Sequence, residues 1–293
     1  MRILITCVNF NSFTGSELYV YELSRGLIER GFDVSVASNF GGDIALKAMN
    51  NGVKLYQLNN LPDVEFDLLH INQGLVCKHV VTKYVNTPIV CGIHSELISL
   101  EAPIFNDMIK KYIAIRPKIK EHLINQYGVP DELITVIYNP IDDKRFNLDN
   151  QENKINEKKI VLFVGSIHTL REPMLVSLIK KTHDDGNMLW IVGKEHGVLV
   201  KNLAKGYEHV KHFPQTWDVD KYFKGCDETA GILLGRTTIE GWLCGKPGWV
   251  YDINKDGKIN SFSLEPIPYD VDKFKCSLVV DDIIKIYKET FNA

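Results

Sequence analysis

The sequence of 293 residues lacks a CxxC pair among its six cysteines, lacks an apolar run long enough to span a membrane, and has a net charge of only −3. Scattered cysteines beside apolar runs are typical of buried, reduced thiols, which favours a cytoplasmic protein over a disulfide framework. The opening run MRILITCVNF is too short for a signal peptide, and we interpret it as a buried strand. The net charge gives no support for a protein that binds nucleic acid or an anionic membrane over a large part of its surface.

A low-complexity tract, a solenoid repeat and a GxGxxG motif in the first loop are also missing. The missing motif disfavours a dinucleotide-binding oxidoreductase. The sequence has instead short, continuous apolar runs with helical patterns between them, as is typical of parallel strands buried on both faces. These runs predict strands at 3–8, 34–37, 68–71, 88–91, 112–115, 134–137, 160–164, 189–192, 210–213 and 231–234.

The length of the chain and one polar stretch predict two domains. Rossmann-type units take roughly 100 to 150 residues each, and the stretch NLDNQENKINEKK, residues 147–159, has the composition of a surface linker. We therefore expect an N-terminal domain over 1–146 and a C-terminal domain over 147–276, with an amphipathic helix in 277–293. Repeated βα units predict ligand sites at the carboxyl ends of the strands.

The most informative segment is GILLGRTTIEGWLCGKPGWVYD, residues 231–252. An apolar strand stops at a glycine, and a short helix with one carboxylate, Glu240, follows. Backbone amides at a helix N-terminus are unpaired and carry partial positive charge, so this helix start suits a diphosphate. The residues that we expect to form this cradle are Gly235, Arg236, Thr237 and Thr238.

Three further loops each follow a predicted strand. In the first, Gly15 allows close approach of a ligand and Ser16 or Thr14 caps the helix, although an ordinary βα turn explains the same residues. His94 ends a strand, where it suits a sugar, a phosphate or proton exchange as well as a structural role. Asn139 precedes a proline and is by itself only a turn signal.

The run FVGSIHTLREP places Gly165 and Ser166 directly after a strand and Arg171 six residues past the glycine. An arginine in this position can bind phosphate oxygens through two parallel hydrogen bonds. The alternative is a solvated arginine paired with Glu172 at the start of a helix.

Four segments, in order, resemble the family 4 glycosyltransferases, which are retaining enzymes of GT-B architecture that use nucleotide-diphospho-sugars. GSELYVYELSRGLIERGFDVSV is similar to the glycine loop and first helix of the family, and VIYNPIDDKRF to its V-x-x-N-G-V/I-D segment. FVGSIHTLRE resembles F-V-G-R-x-x-x-x-K, and IEGWLCGKP resembles L-E-A-M-A-C-G-x-P. The chain looks like a compact variant of that family.

The resemblance implies two Rossmann-like α/β domains facing across a cleft, with the last helix crossing back to the first domain. It implies that Glu240 binds the donor ribose, that Gly235 and the next amides meet the diphosphate, and that Arg171 replaces a phosphate-binding lysine. Gly15 would lie beneath the donor phosphate and sugar, and His94 near the transferred sugar. In the retaining reaction the phosphate helps to deprotonate the acceptor hydroxyl, so His94, Arg171 and Glu240 position and stabilise rather than attack.

By the same resemblance the donor is UDP- or GDP-linked, with no other cofactor and no metal. The acceptor is a hydroxyl of a glycan, a lipid-linked sugar, a small molecule or a modified DNA base, and the oligomeric state is open. The sequence departs from the family at Ser166, where Arg236 is a candidate replacement for the family arginine, and at Ile232, where the family has a second glutamate and Glu228 is the nearest acid. A nucleotide-sugar epimerase, a phosphorylase and a non-catalytic nucleotide-binding module are the alternatives.

Overall fold

The computed structural model describes residues 1–97, 99–148 and 158–292. It divides into two compact units, one made of Met1–Pro140 with Lys275–Ala293 and the other of Ile141–Phe274. Most of the linker that the sequence predicts at 147–159 lies outside the described residues.

The first unit contains a parallel sheet with strand order β3-β2-β1-β4-β5-β6-β7. Its inner strands are almost wholly apolar and buried, as parallel strands covered on both faces must be. Its strands are β1 (Arg2–Phe10), β2 (Asp33–Phe40), β3 (Lys54–Gln57), β4 (Leu68–Asn72), β5 (Ile89–Ile93), β6 (Ile109–Ala114) and β7 (Ile134–Val136).

Helices from both ends of the chain pack in this first unit. α1 is buried around most of its circumference because the C-terminal helix, α9, packs against it. A Cβ on Gly26 would lie 2.7 Å from a methyl group of Val280, so glycine permits this close approach of the two helices. The helices are α1 (Gly15–Ile28), α2 (Gly42–Asn50), α3 (Lys78–Lys83), α4 (Pro117–Tyr127) and α9 (Cys276–Phe291).

The second unit contains a sheet with strand order β10-β9-β8-β11-β12-β13, in which only β13 runs antiparallel to its neighbour. Its strands are β8 (Ile160–Val164), β9 (Met188–Val192), β10 (Val210–Phe213), β11 (Glu228–Ile232), β12 (Gly248–Ile253) and β13 (Ile259–Glu265). Its helices are α5 (Glu172–Asp184), α6 (Leu199–Leu203), α7 (Asp220–Gly225) and α8 (Arg236–Leu243).

Each sheet reverses its strand order once, between β1 and β4 in the first unit and between β8 and β11 in the second. At such a switch point the loops leave neighbouring strands in opposite directions and open a crevice at the carboxyl ends, where ligands bind in folds of this kind. Residues of the functional site are therefore expected in the loops that follow these strands.

The boundary between the units differs from the one predicted at 146/147, because residues 141–146 pack in the second unit. The amide of Ile141 donates to the carbonyl of Phe274 at 3.1 Å, and the ring of Phe146 contacts that of Phe223 with centroids 5.3 Å apart. Apolar contacts thus make the second unit begin before the polar stretch from which the boundary was predicted. At the other end Lys275 already belongs to the first unit, two residues before the predicted 277.

The strand predicted at 231–234 was placed too late in the chain. β11 starts at Glu228 and ends at Ile232 because Leu233 has a φ of 53°, which is incompatible with a strand. β3, β12 and β13 were not predicted, and β13 is mostly exposed, so it lacks the continuous apolar run used to find the others. No helix in the described part of the chain is long and apolar enough to cross a membrane.

Candidate active site

The N-terminus of α8 lies at the switch point of the second sheet, beside the carboxyl end of β8. Gly235 is the residue before the helix, in an extended conformation, and the Thr237 hydroxyl donates to the carbonyl of Val164 at 2.9 Å. This hydrogen bond ties the start of α8 to the end of β8. The first backbone amides of a helix have no partner within the helix, so they are directed to this edge of the sheet.

A strained residue leads into α8. Leu233 adopts the left-handed conformation, which is rare for a side chain of this kind, and its amide donates to the carbonyl of Tyr251 at 2.8 Å. Strained backbone of this type concentrates at binding and catalytic sites, where the surrounding structure enforces it. The strain therefore supports the prediction that the loop after β11 is functional.

Thr238 is different from its neighbours in the predicted cradle, because its side chain is fully buried in the core. Its methyl group lies 2.8 Å from the position that a Cβ on Gly248 would take, and its hydroxyl 3.5 Å from that on Gly231. The side chain fills the space between α8 and two strands. Only the backbone amide of Thr238 fits the predicted cradle.

Arg236 and Glu240 form an ion pair one turn apart on α8, with Nε 2.6 Å from a carboxylate oxygen. Both side chains are almost completely buried, at 9% and 4% exposure. Such a pair is rigid, since separating the two charges leaves each of them desolvated. The guanidinium that the sequence offered as a phosphate ligand is thus engaged with the carboxylate predicted to bind ribose.

Arg171 lies at the end of a 3-10 turn, Thr169–Arg171, that follows β8. A Cβ on Gly165 would lie 2.0 Å from Nη1, so glycine leaves the room that the guanidinium occupies. The guanidinium also lies over the ring of Phe163, with 5.6 Å between its central carbon and the ring centroid. Its position is therefore fixed by the end of β8.

The charge of Arg171 has no counter-ion among the described residues, so the alternative of a pair with Glu172 is not what the structure has. Its Nε is buried and has no hydrogen-bond partner within the part of the chain that the structure describes. Burial lowers its pKa to about 10, which still leaves the group protonated at neutral pH. Arg171 as a whole is partly buried, and a cation that is partly desolvated without an anion indicates a site prepared for an anionic ligand.

Ser166, which stands in place of the family arginine, contacts a histidine that the sequence did not single out. Its hydroxyl lies 3.1 Å from Nε2 of His196, which follows β9. His168 lies close to both Arg171 and His196, and burial together with these two groups lowers the pKa of His168. A lone histidine in a loop gives no sequence signal, so His196 was not predicted.

At the switch point of the first unit, Gly15 is the first residue of α1. Thr14 precedes the helix and caps it, with the Glu17 carboxylate accepting from the Thr14 amide at 3.1 Å and from the Asn11 amide at 3.2 Å. Apart from the neighbouring backbone of α1, no atom of the described residues lies within 4 Å of a Cβ built on Gly15, so the fold itself does not require glycine there. Ser16 makes no side-chain hydrogen bond to the described residues, and Thr14 rather than Ser16 is the cap.

Side chains replace the backbone ladder where β1 and β4 separate. The paired register of the two strands ends at Ile5. Beyond it, Nδ2 of Asn72 donates to the carbonyl of Thr6 at 2.9 Å, and Oε1 of Gln73 accepts from the amide of Val8 at 2.8 Å. Gln73 has a φ of 54°, the counterpart of Leu233 in the other unit. The sequence analysis missed both amides, since neither lies in a recognisable motif.

His94 follows β5 at the same edge of the first sheet. Its Nε2 lies 2.9 Å from Oδ1 of Asn72, and its ring packs edge-on against Tyr19 with centroids 4.4 Å apart. Burial, with smaller effects of His70 and Arg116, lowers the pKa of His94 to about 3. His94 is therefore neutral at physiological pH, and of the roles predicted for it, hydrogen bonding fits better than proton exchange.

A buried carboxyl, Glu101, holds the backbone at His94. Its Oε2 accepts from the amide of His94 at 3.1 Å, and burial raises its pKa to about 7. Glu96 and Arg116 form a buried ion pair close by. Asn139 is buried in the segment after β7, and its amide makes no side-chain hydrogen bond to the described residues.

Three solved structures with the same fold as this chain are glycosyltransferases. A glycosyltransferase from Rickettsia africae matches with a TM-score of 0.71 at 16% identity, over 99% of this chain and 98% of that one. HepE from Anabaena in complex with UDP-glucose matches with a TM-score of 0.70 at 17% identity, over 99% and 92%. WaaG, involved in lipopolysaccharide biosynthesis, matches with a TM-score of 0.60 at 12% identity, over 99% and 94%.

Residues 13–145 match the family model described as Glycosyltransferase Family 4. This match covers fewer than half of the 293 residues, so residues 13–145 are similar to family 4, and the chain as a whole has the GT-B fold of a glycosyltransferase. No curated protein matches its sequence. The α/β fold and the enzyme class predicted from the four ordered motifs are therefore confirmed.

The glycosyltransferase keeps its predicted site residues in two groups, one at each switch point. In the second unit, β8 and α8 bring Gly165, Ser166 and Arg171 to the same edge of the sheet as Gly235 and Thr237. In the first unit, Gly15 and His94 follow strands of one sheet edge. Their roles in binding a substrate stay predictions.

The position of the family's second glutamate is an apolar one in this glycosyltransferase. Ile232 packs against the core of the second unit. Glu228 cannot replace the missing acid, because it lies at the amino end of β11 and binds Lys159 at 3.1 Å and the indole of Trp249 at 2.8 Å. Within the described ranges no group of three or more His, Cys, Asp or Glu residues is arranged to hold a metal ion.

Proposed function

We propose that this glycosyltransferase transfers a sugar from a UDP- or GDP-linked donor to a hydroxyl of its acceptor, with retention of anomeric configuration. The observation that carries the proposal is the partly buried guanidinium of Arg171, which has no counter-ion among the described residues and lies at the same sheet edge as the N-terminus of α8. Two further points support it. HepE, which has the same fold, has been crystallised with UDP-glucose, and residues 13–145 match the family model described as Glycosyltransferase Family 4.

In the proposed reaction the bond between the sugar C1 and the β-phosphate oxygen breaks, and a bond from C1 to the acceptor oxygen forms on the same face. The acceptor proton passes to the departing diphosphate, so no protein nucleophile is needed. Charge builds up on the diphosphate as it leaves. We propose that Arg171 and the backbone amides after Gly235 stabilise that charge, in a site that needs no reorganisation at the moment of reaction.

Glu240 is proposed to accept hydrogen bonds from the ribose hydroxyls of the donor, as in the resemblance above. Its charge is held in place by Arg236. With Arg171 and the helix start supplying positive charge, we propose that the transfer needs no metal. The acceptor remains a hydroxyl of one of the four classes predicted from the sequence.

The test is UDP binding by calorimetry for Arg171→Met and Arg171→Lys. Loss of charge-assisted hydrogen bonds of about 1.5–3 kcal/mol should weaken binding roughly 10- to 100-fold in Arg171→Met. Arg171→Lys should lose less, since it keeps the charge but not the forked geometry. Lys201→Met is the matched control, because Lys201 is an exposed cation on α6 of the same unit.

The same enzyme is then assayed for release of UDP from UDP-glucose and of GDP from a GDP-sugar, with and without EDTA. Nucleoside diphosphate that appears faster when an acceptor hydroxyl is supplied supports transfer. Conversion of the donor to another nucleotide-sugar would indicate an epimerase. Absence of UDP and GDP binding in the wild type would leave a non-catalytic module and refute the proposal.

A further inference from the structure

A chain of buried hydrogen bonds links the C-terminal helix to His94. We propose that Tyr287, His70 and Asn72 are positioning residues that hold the His94 imidazole as the Nε2–H tautomer, so that only the lone pair on Nδ1 is offered to a ligand. The inference rests on the proposed function for the role of His94, but its geometry lies wholly within the first unit.

The orientation of the Asn72 amide is the first step. Its Nδ2 donates to the carbonyl of Thr6 at 2.9 Å, which fixes Oδ1 on the opposite side. That oxygen lies 2.9 Å from Nε2 of His94 and 3.2 Å from Nε2 of His70. An amide oxygen only accepts hydrogen bonds, so both imidazoles must carry their proton on Nε2.

The second step concerns the other nitrogen of each ring. Nδ1 of His70 is then an acceptor, and the hydroxyl of Tyr287 lies 2.5 Å from it as the donor. Burial raises the pKa of Tyr287 and lowers that of His70 to about 4, so the hydroxyl keeps its proton and the imidazole stays neutral. Each hydrogen bond from Tyr287 through His70 to Asn72 therefore joins one donor to one acceptor.

Nδ1 of His94 is left as the chemically available nitrogen, since it has no hydrogen bond to the described residues. A lone pair can accept from a sugar or acceptor hydroxyl, but it cannot bind an unprotonated phosphate oxygen. The titratable groups around His94 are His70, Arg116 and Glu101, together with Tyr19, whose ring makes the T-shaped contact described above. A neutral His94 with a fixed tautomer therefore selects a hydroxyl rather than a phosphate.

Glycine at position 92 leaves the space that this series of hydrogen bonds occupies. A Cβ on Gly92 would lie 2.3 Å from Oδ1 of Asn72 and 2.9 Å from Nε2 of His70. No side chain larger than glycine fits without displacing the amide. Because Tyr287 is on α9, the docking of that helix and the tautomer of His94 are coupled.

The primary experiment is nitrogen-15 NMR of the imidazoles in the wild-type enzyme, with His70→Gln and His94→Gln used to assign the signals. The expected result is the Nε2–H tautomer for both residues at neutral pH. Finding Nδ1–H at His94 would overturn the inference. This readout is independent of turnover, so it stands or falls separately from the proposed donor chemistry.

Tyr287→Phe removes only the hydroxyl, and Tyr84→Phe is its matched control because that hydroxyl donates to Pro62 elsewhere in the same unit. Loss of one buried hydrogen bond of about 1.4 kcal/mol is a tenfold effect. We expect Tyr287→Phe to change the His94 signals and lower kcat for UDP-glucose hydrolysis about tenfold, with UDP affinity unchanged. Signals and kcat that match those of Tyr84→Phe would contradict the coupling.

Asn72→Asp is the second variant, in case loss of the hydroxyl destabilises α9. A carboxylate keeps the acceptor and has the size of the amide, but its charge favours protonated imidazoles. The pKa of His94, followed by NMR titration, should rise towards neutrality, and activity should acquire a new pH dependence in that range. An unchanged titration of His94 would show that Asn72 does not control it.

Discussion

At the scale of single residues, Arg171 shows how a binding site opposes stability. Its guanidinium is partly buried beside Gly165 and Phe163, with Nε unpaired, and in the described part of the chain no carboxylate neutralises it. Desolvating a cation in this way costs free energy in the ligand-free protein, which a bound diphosphate offsets. The same residue is thus unfavourable for folding and favourable for binding.

This opposition predicts that Arg171→Met stabilises the ligand-free enzyme while it weakens UDP binding. Methionine has a similar length and no charge to desolvate, so the free energy of unfolding of the second unit should rise. Because Arg171 is only partly buried, the rise should be at most about 1 kcal/mol, the low end of the cost of burying a polar group. Urea unfolding without ligand measures the change, and Lys201→Met serves again as the control. A destabilised Arg171→Met would mean that the guanidinium is held by favourable contacts and is not an empty anion site.

At the scale of one element, α8 combines a positive N-terminus with an internal ion pair. The Arg236 cation at the first turn is unfavourable for the helix dipole, whereas its contact with Glu240 one turn later is favourable. Two roles for Arg236 remain distinct: a direct phosphate ligand, as the sequence suggested, or a residue that orients Glu240. The ion pair in the structure favours the second.

A double-mutant cycle on UDP affinity separates the two roles. If Arg236 acts through Glu240, Arg236→Gln should weaken UDP binding in the wild type and have little effect in Glu240→Gln, giving a coupling energy of about 1–3 kcal/mol. Uridine, which keeps the ribose but lacks the phosphates, should show the same coupling. Additive losses, confined to UDP, would restore Arg236 as a phosphate ligand.

The elements that the sequence predicted well are those whose signal is local. β8 was predicted with its observed bounds because Ile160–Val164 is a continuous apolar run, and the helix start at Gly235 follows from glycine and threonine. Leu233 was misplaced because leucine gives no sign of a positive φ, which is imposed by contacts with β12. The His70–Asn72 contacts depend on the pairing of β4 and β5 and on space above Gly92, which only the assembled sheet shows.

At the scale of the whole chain, the two units differ in how many segments of the sequence form them. The second is formed by one continuous segment, Ile141–Phe274, whereas the first needs residues from both ends of the sequence. α9 contributes a row of fully or almost fully buried side chains to it: Val279, Val280, Ile283, Ile286 and Tyr287. At about 1.5–3 kcal/mol for each buried side chain, α9 contributes on the order of 10 kcal/mol.

That contribution is comparable to the total stability of a domain, about 5–15 kcal/mol, so a chain ending at Phe274 should lose the first unit and keep the second. Hydrogen exchange should show fast exchange in β4 and β5 and continued protection in β8, β9 and α5. A chain ending at Thr290, which removes the half-exposed Phe291 but no buried apolar residue, is the control and should retain both units. Persistent protection of β4 and β5 without α9 would show that the first sheet is stable on its own, and that α9 serves mainly to position Tyr287 against His70.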